Sequence, residues 1–339
     1  MKYWWIAGVL LALAAPVEAK RNRVVDPGPP IDSVAEVGPF IEEMVQQHQF
    51  ERDALQQVFR EARLKRSILD AIAAPAEAKP WSIYRGLFVE PKRVAAGVRF
   101  WSEHADALQR AEAQYGVPAD MIAAIVGVET FYGRNAGNYR VLDALSTLAF
   151  AYPKRAPFFR EQLAAYLLLA REQGFAPDSA RGSYAGAMGL PQFMPSSYRE
   201  FAVDFDGDGR RDLWRDADDV IGSVAYYFQC KGWRAGAPLV VRASVGPGNG
   251  VLLANKGWRY RLPLRIWATM GVSSELPAAG DSEAMLIELA GEQGTEYWLA
   301  FENFYVITRY NNSFHYAMAA VELAEQLRSM RNSEAPGSN

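Results

Sequence analysis

Apolar residues recur at helical spacing along most of the chain, and this pattern predicts a mainly helical protein. Between residues 233 and 300 the pattern changes to short β-type runs separated by glycines and prolines. In that region residues 285–289 and 296–299 flank the segment 291–294 as the two strands of a hairpin flank their turn. The pattern predicts an α+β fold that is predominantly α-helical, with a small β-rich insertion near the carboxyl end. Its helices are expected within residues 32–74 and at about 91–115, 118–130, 141–151, 157–173, 220–231 and 313–331.

The helix predicted at residues 118–130 is apolar on nearly all sides, and Asp120 is the only charged residue before Glu129. Such a helix is typical of a buried position, and Gly133 provides a stop signal after it. We therefore expect Glu129 to lie at the end of a buried helix and to face a cleft. Burial favours the neutral form of a carboxyl group and raises its pKa, so this residue is a candidate general acid. A structural glutamate that caps or pairs is the alternative interpretation.

Length and composition set broad limits. The 339 residues suffice for one large domain or for two to three smaller units, and a net charge of −3 does not favour nucleic-acid binding. The three histidines are far apart in sequence, so a zinc site on a single helix is not supported. Cys230 is the only cysteine, cannot form an intramolecular disulfide, and is expected to be a buried apolar filler. No Ser-His-Asp order supports a serine hydrolase.

The first residues have the features of a secretory signal. Lys2 precedes an apolar run at residues 4–15, which is short for a membrane span, and residues 17–19 offer a small-residue cleavage site. We expect residues 1–19 to be a signal peptide and residues 20–31 to be a linker. A retained anchor is the alternative, and no cysteine follows the apolar run to accept a lipid.

An acidic segment at residues 204–219 follows the spacing of an EF-hand loop at positions 1, 3, 5, 6, 7 and 9. At position 12, however, Arg215 replaces the usual bidentate glutamate, so the loop needs a later carboxylate, from Asp216, Asp218 or Asp219, to close it. A structural Ca²⁺ site is predicted, and a solvated acidic turn is the alternative. The residues at the six matching positions are Asp204, Asp206, Asp208, Gly209, Arg210 and Asp212.

Two further segments carry side chains suited to binding sugars. The glycine-rich loop at residues 181–198 lacks the phosphate-loop pattern, but Gly186 and Gly189 permit close backbone approach, and Ser183 and Gln192 offer polar partners for sugar hydroxyl and N-acetyl groups. A tight turn between helices explains it equally well. The polar and aromatic segment 303–313 either lines a groove or forms a strand-to-helix junction.

Four segments in this order, residues 127–133, 186–198, the loop that begins at Asp204 and residues 305–311, resemble the membrane-bound lytic murein transglycosylase B family. The resemblance implies a lysozyme-like core and cleavage of the β-1,4 bond between N-acetylmuramic acid and N-acetylglucosamine without water, which leaves a 1,6-anhydromuramoyl end. It also implies that Glu129 is the single catalytic acid and base. The groove residues that it implies are Tyr84, Ser183, Met188, Gln192, Tyr226, Tyr310, Asn311 and Tyr316. The calcium ligands that it implies are Asp204, Asp206, Asp208, Arg210 and Asp218.

These sequence features and the family resemblance together predict an exported, periplasmic enzyme that acts on peptidoglycan strands, with no cofactor for its chemistry and no nucleic-acid partner. The expected divisions are an N-terminal helical region at 32–117, a catalytic core at 118–232, a β-containing region at 233–300 and a returning C-terminal segment at 301–331. Two other functions stay open. One is a hydrolytic muramidase with Asp143 as a second carboxylate, although that residue is expected to cap its helix. The other is a non-catalytic glycan-binding protein.

Overall fold

The structure is a computed structural model that describes residues 28–73, 79–275 and 282–334. The predicted signal peptide and residues 20–27 of the predicted linker lie outside the described residues. Two compact units are present. The first, here called the glycine-loop unit, comprises residues 28–73 and 129–223, and the second, the sheet unit, comprises the described residues within 79–128 and 224–334.

The described residues are mainly helical, with seven short strands among the helices. The helices, apart from short 3-10 turns, are α1 (Val37–His48), α2 (Arg52–Glu61), α3 (Arg66–Ile72), α4 (Trp81–Phe88), α5 (Pro91–Glu103), α6 (Ala105–Tyr115), α7 (Ala119–Thr130), α8 (Val141–Ala151), α9 (Ala156–Gln173), α10 (Pro195–Phe201), α11 (Ala217–Cys230), α12 (Leu264–Thr269), α13 (Glu302–Tyr310) and α14 (Phe314–Glu334). The strands are β1 (Tyr139–Arg140), β2 (Arg181–Gly182), β3 (Val240–Val245), β4 (Leu262–Pro263), β5 (Val272–Ser274), β6 (Glu283–Gly291) and β7 (Gly294–Ala300).

Helices α8 and α9 form the apolar centre of the glycine-loop unit. Helix α8 is buried from Val141 to Ala149, and it packs against α9. Phe40 of α1 and Phe59 of α2 meet Phe150 of α8 edge-on, with ring centroids 5.8 and 6.4 Å from it. Edge-to-face contacts of this kind add to the stability that burial of the rings provides. The predicted helical character of residues 32–74 therefore corresponds to three short helices, of which α1 and α2 close one side of this core.

The sheet unit contains a five-stranded sheet in the order β4-β6-β7-β3-β5, and every neighbouring pair is antiparallel. Strands β6 and β7 form the predicted hairpin, in which Gly291 pairs with Gly294 across a two-residue turn. One face of the sheet packs on α12, where Trp267 is fully buried and donates a hydrogen bond to the carbonyl oxygen of Ala284 at 2.8 Å. This hairpin was predicted because two β-type runs flank a short segment that contains two glycines.

The structure corrects the helix predicted at residues 91–115. Helices α5 and α6 are separate, because His104 adopts φ −122° and ψ 31°, which are not helical angles. Its ring packs on Phe100 with centroids 4.7 Å apart, and its carbonyl oxygen accepts the hydrogen bond of Leu108 at 3.0 Å. The apolar period continues across this break, so the period alone gave no sign of it.

Two other expectations are wrong. The segment 303–313 is not a strand-to-helix junction, because most of it belongs to α13, in which buried Asn303 exchanges two hydrogen bonds of 2.8 Å with the backbone of Arg234. Cys230 is exposed rather than buried, since it is the last residue of α11 and follows the exposed Gln229. Among the described helices, none combines the length and the hydropathy needed to cross a membrane.

Candidate active site

Glu129 is the penultimate residue of α7 and is 6% exposed. Residues 121–128, which precede it in the helix, are all buried, so Glu129 stands at the end of a buried helix. Asp120, in the first turn, pairs with Arg328 of α14, so the charge at the other end of the helix is compensated within the sheet unit. The predicted position of Glu129, at the end of a buried helix, agrees with the structure.

The chain leaves α7 in an uncommon backbone conformation. Phe131 and Tyr132 have φ angles of 52° and 56°, and Gly133 follows with φ 87°. Left-handed residues other than glycine cost on the order of 1 kcal/mol or more each, and such conformations concentrate at functional sites. The hydroxyl of Thr130 stabilises this turn, because it accepts a hydrogen bond from the amide of Gly133 at 3.0 Å.

The same hydroxyl connects the end of α7 to the glycine-rich loop. Thr130 Oγ1 donates to the carbonyl oxygen of Leu190 at 3.1 Å. The amide of Leu190 in turn donates to the carbonyl oxygen of Leu213, which belongs to the acidic loop, at 2.8 Å. Residues next to Glu129, the glycine-rich loop and the end of the acidic loop are therefore linked by consecutive hydrogen bonds.

Glycine is required at two positions of this loop. A Cβ atom at Gly186, where φ is 82°, would lie 2.4 Å from the side chain of Leu145 in α8. At Gly189, where φ is 68°, it would lie 2.3 Å from the carbonyl oxygen of Leu213. Both distances are far below van der Waals contact, so the loop reaches its position because these residues have no side chain.

The predicted loop residues Ser183, Met188 and Gln192 are all buried and take part in the structure of the loop itself. Ser183 Oγ accepts a hydrogen bond from the amide of Ala187 at 3.1 Å. Gln192 has φ 51° and donates from Nε2 to the carbonyl oxygens of Gly189 and Ala136, at 2.8 and 3.1 Å. The amide group of Gln192 is thus fixed in one orientation, which is the condition for specific recognition of a ligand.

The other predicted groove residues, Tyr84, Tyr226, Tyr310, Asn311 and Tyr316, belong to the sheet unit. Tyr310 and Tyr316 lie parallel, with centroids 6.4 Å apart and an interplanar angle of 11°. Tyr84 lies against His315, at 5.4 Å between ring centroids. Tyr310 and Tyr226 are half-buried, whereas the other three are buried. Within this unit the structure therefore brings Tyr310 and Tyr316 together as a stacked pair.

Arg93 is a buried cation that sequence reasoning missed. It donates to the carbonyl oxygen of Gly127 at 2.6 Å and to that of Leu87 at 3.0 Å. Its guanidinium group also lies over the ring of Phe88, 5.3 Å from the centroid. Arg93 thereby joins the end of α4, which carries Tyr84, to the last turns of α7, which carry Glu129. A lone arginine within the amphipathic pattern of α5 gives no signal of this role.

Asp143 does not cap α8, because the N-cap residue is Arg140 and no side chain caps the helix. Its two carboxylate oxygens instead accept hydrogen bonds from Arg140 at 2.8 and 2.9 Å, and Oδ1 also accepts the backbone amide of Arg63 at 2.9 Å. The side chain is 4% exposed. A bidentate pair of this type holds a carboxylate at a fixed position.

The acidic loop contains a group of three carboxylates that suits a metal ion. One oxygen from each of Asp204, Asp206 and Asp219 lies within 4.8 Å of the others. Asp204 is oriented by the amides of Gly207 and Gly209, at 2.8 and 2.9 Å. Three convergent hard oxygens, from a tight glycine turn and from the helix that follows it, fit Ca²⁺, which takes six to eight oxygen ligands in all.

The residue that completes this group is Asp219, and Asp218 is not part of it. Asp219 is 1% exposed in the first turn of α11, and its oxygens accept the amides of Phe205 and Asp212, both at 2.7 Å. Burial raises the pKa of Asp219, although these hydrogen bonds oppose the shift. Asp219 was one of three alternatives for closing the loop, and its position between the acidic loop and an apolar helix is the signal that favours it.

Comparison with known proteins identifies the class of enzyme. A model of the transglycosylase SLT domain matches residues 33–325, and the chain belongs to this family. Membrane-bound lytic murein transglycosylase B of Escherichia coli (strain K12) is 43% identical over 296 residues, which are 84% of this chain and 81% of that protein. The chain is accordingly a peptidoglycan lytic transglycosylase.

Solved structures agree with this assignment. Soluble lytic transglycosylase SltB1 of Pseudomonas aeruginosa has a TM-score of 0.83 and 48% identity, over 88% of this chain and 99% of that one. Escherichia coli lytic transglycosylase Slt35 in complex with calcium has a TM-score of 0.83 and 41% identity, over 92% and 98%. Pseudomonas aeruginosa SltB3 in complex with NAG-NAM-pentapeptide has a TM-score of 0.78 and 32% identity, over 89% and 80%. The predicted fold class, mainly helical and lysozyme-like with a small sheet, is confirmed.

Proposed function

We propose that this transglycosylase works with one carboxylate, Glu129, which acts first as an acid and then as a base. The observation that carries the proposal is the state of the other buried carboxylates among the described residues, since each has a partner of its own. Asp143 is held by Arg140, Asp120 by Arg328, and Asp219 by the backbone of the acidic loop. For any of these three to act as the second carboxylate of a hydrolase, it would have to leave its partner.

In the proposed reaction, the protonated carboxyl group of Glu129 gives its proton to the oxygen between muramic acid and glucosamine, and the bond from C1 of muramic acid to that oxygen breaks. The N-acetyl carbonyl oxygen of the substrate stabilises the positive charge at C1. The Glu129 carboxylate then removes the proton of the muramoyl C6 hydroxyl, whose oxygen bonds to C1. The products are a glucosamine hydroxyl and a 1,6-anhydromuramoyl end, and Glu129 is again protonated.

The proposed substrate contacts follow the predicted residues in each unit. In the glycine-loop unit they are Ser183, Met188 and Gln192, which are fixed by the hydrogen bonds of the glycine-rich loop. In the sheet unit they are Tyr84, Tyr226, Tyr310, Asn311 and Tyr316. Solved relatives bind peptidoglycan fragments, as the SltB3 complex shows, and this supports glycan strands as the substrate here.

We also propose that the acidic loop holds a structural Ca²⁺ ion, with Asp204, Asp206 and Asp219 as carboxylate ligands. The prediction of Asp208, Arg210 and Asp218 as ligands stays a prediction. The ion would fix the start of α11 and the segment that holds Leu190 through Leu213, and it would take no part in proton transfer. The calcium complex of Slt35 supports such a site.

The proposed location is the periplasm, reached through the predicted signal at residues 1–19. A membrane anchor is the less favoured alternative, although the relative from Escherichia coli is named as membrane-bound. The division into a helical region, a core, a β-containing region and a returning C-terminal segment is likewise a proposal about domains.

Digestion of purified sacculi by the full chain, followed by mass spectrometry of the products, tests the mechanism. We expect anhydromuramoyl ends from the wild type and a loss of at least about 100-fold in rate for Glu129→Gln, as is typical for a catalytic acid. Glu103→Gln, at an exposed position of α5, is the matched control and is expected to retain full activity. Reducing ends would instead identify a hydrolase, and intact glycan would identify a binding protein.

A further inference from the structure

The last turn of α7 is held by a buried arginine from α5. Arg93 is 7% exposed, and its guanidinium group donates to the carbonyl oxygen of Gly127 at 2.6 Å. Gly127 lies two positions before Glu129 in the same helix. Because an arginine side chain keeps its charge in proteins, this contact is a permanent charge-assisted hydrogen bond.

The acceptor of this bond is one of the carbonyl groups that a helix leaves without an internal partner. The last four carbonyl groups of an α-helix have no amide donor within the helix, and Gly127 is the first of these four in α7, which ends at Thr130. Glycine also weakens a helix, because it has the most backbone entropy to lose. The carbonyl oxygen of Thr130, the last of the four, accepts the amide of Asn135 at 2.9 Å. Glu129 therefore lies between two carbonyl groups that donors outside the helix hold in place.

Arg93 is itself fixed by the end of α4. A second nitrogen of its guanidinium group donates to the carbonyl oxygen of Leu87 at 3.0 Å, and the group lies over the ring of Phe88, 5.3 Å from the centroid. A planar guanidinium group that is bonded in two directions and packed on a ring has little freedom to move. Its positive charge also lies at the C-terminal end of α7, where the helix dipole is negative. The last turn of α7 is thus connected to α4 by an ordered cation.

We propose that Arg93 is a positioning residue for the reaction, because it fixes the last turn of α7 and with it the carboxyl group of Glu129. The proposal rests on the proposed function, since it takes Glu129 as the acid and the base. One carboxyl group then serves two proton transfers, so it must stay within hydrogen-bond reach of two different substrate oxygens. A displacement of about 1 Å in such a group can cost about 100-fold in rate. Loss of Arg93 should therefore lower kcat and leave KM nearly unchanged, because the proposed substrate contacts are other residues.

Steady-state kinetics of the full chain on soluble glycan strands of defined length test this role. Arg93→Met and Arg93→Gln remove the cation, whereas Arg93→Lys keeps it. Arg328→Met is the matched control, because Arg328 pairs with Asp120 at the opposite end of the same helix. Circular dichroism at the assay temperature establishes which variants are folded, and if Arg93→Met does not fold, Arg93→Gln carries the test.

We expect kcat to fall about 10- to 100-fold in Arg93→Met and Arg93→Gln, with KM within about twofold of the wild type. The kcat of Arg93→Lys should lie between these variants and the wild type, and folded Arg328→Met should keep the wild-type kcat. An equal loss of kcat in Arg328→Met or a wild-type kcat in folded Arg93→Gln would overturn the assignment. A rise in KM alone would also overturn it, since the effect would then act on a substrate contact such as Tyr84 of α4.

Glu129→Gln is measured in parallel, so that a failure of this role and a failure of the proposed mechanism can be told apart. If Glu129→Gln stays active, the one-carboxylate mechanism is wrong, and the role of Arg93 is wrong with it. If Glu129→Gln is inactive while folded Arg93→Gln is fully active, only the positioning role is contradicted.

Discussion

Replacement of Asp143 by asparagine separates the proposed one-carboxylate mechanism from its hydrolytic rival. The substitution keeps the shape of the side chain but removes its charge and turns an NH₂ group toward Arg140, which is itself a donor. Arg140 would keep at most one of the two bonds of the bidentate pair, at 2.8 and 2.9 Å, together with its bond of 2.7 Å to the carbonyl oxygen of Glu61.

The expected loss of stability follows from burial. Removing one partner of a buried pair costs about 3–5 kcal/mol, and the 22% exposure of Arg140 lowers this to about 2–4 kcal/mol. Urea unfolding measures the difference. Asp70→Asn is the matched control in the same unit, because Asp70 also pairs with an arginine, Arg66, but both side chains are more than half exposed. That change is expected to cost less than about 1 kcal/mol.

Activity provides the decisive readout for the same variant. Below its unfolding midpoint, the Asp143→Asn enzyme should still release anhydromuramoyl ends, because Asp143 positions α8 and takes no part in the chemistry. If the folded variant were as inactive as Glu129→Gln, Asp143 would be a second catalytic carboxylate and the mechanism would be wrong. A loss of stability no larger than that of Asp70→Asn would refute the structural argument.

Three further outcomes are expected. Arg93→Met should lower the free energy of unfolding by about 2–3 kcal/mol in urea, since it removes charged hydrogen bonds to one buried and one half-buried carbonyl oxygen, and Arg93→Lys should lower it less; equal losses would contradict this. Burial lowers the pKa of His315, so near this pKa the folded protein binds fewer protons than the unfolded chain. The stability that this difference contributes is present above the pKa of an unfolded histidine, about 6.5, and is lost as the pH falls below that value. His315→Asn should therefore reduce the loss of stability between pH 7.5 and pH 5, and an unchanged loss would count against His315 as its cause. Calcium added to metal-free protein should raise the Tm of the wild type and leave that of Asp219→Asn unchanged, whereas an equal rise in both would exclude Asp219 as a ligand.

Much of the secondary structure was predictable because local patterns determine it. Helix α8 has the predicted bounds, Val141–Ala151, since an apolar run is stopped by the proline at position 153. The β6–β7 hairpin follows from two β-type runs around two glycines, Gly291 and Gly294. The break at His104 was not predictable, because the ring contact with Phe100 that accompanies it does not alter the apolar period.

The sequence by itself determined that one carboxylate lies at the end of a buried helix and that alternating aspartates form an acidic loop. Each of these depends on neighbours in the chain. The tertiary structure decided what lies beyond that range: that the amide of Arg63 binds Asp143, that Arg93 joins α4 to α7, and that Asp219 rather than Asp218 meets Asp204 and Asp206. These outcomes depend on which side chains packing brings within about 3–5 Å, the range over which hydrogen bonds and close charges act, and Asp120 and Arg328 meet in this way although 208 positions separate them.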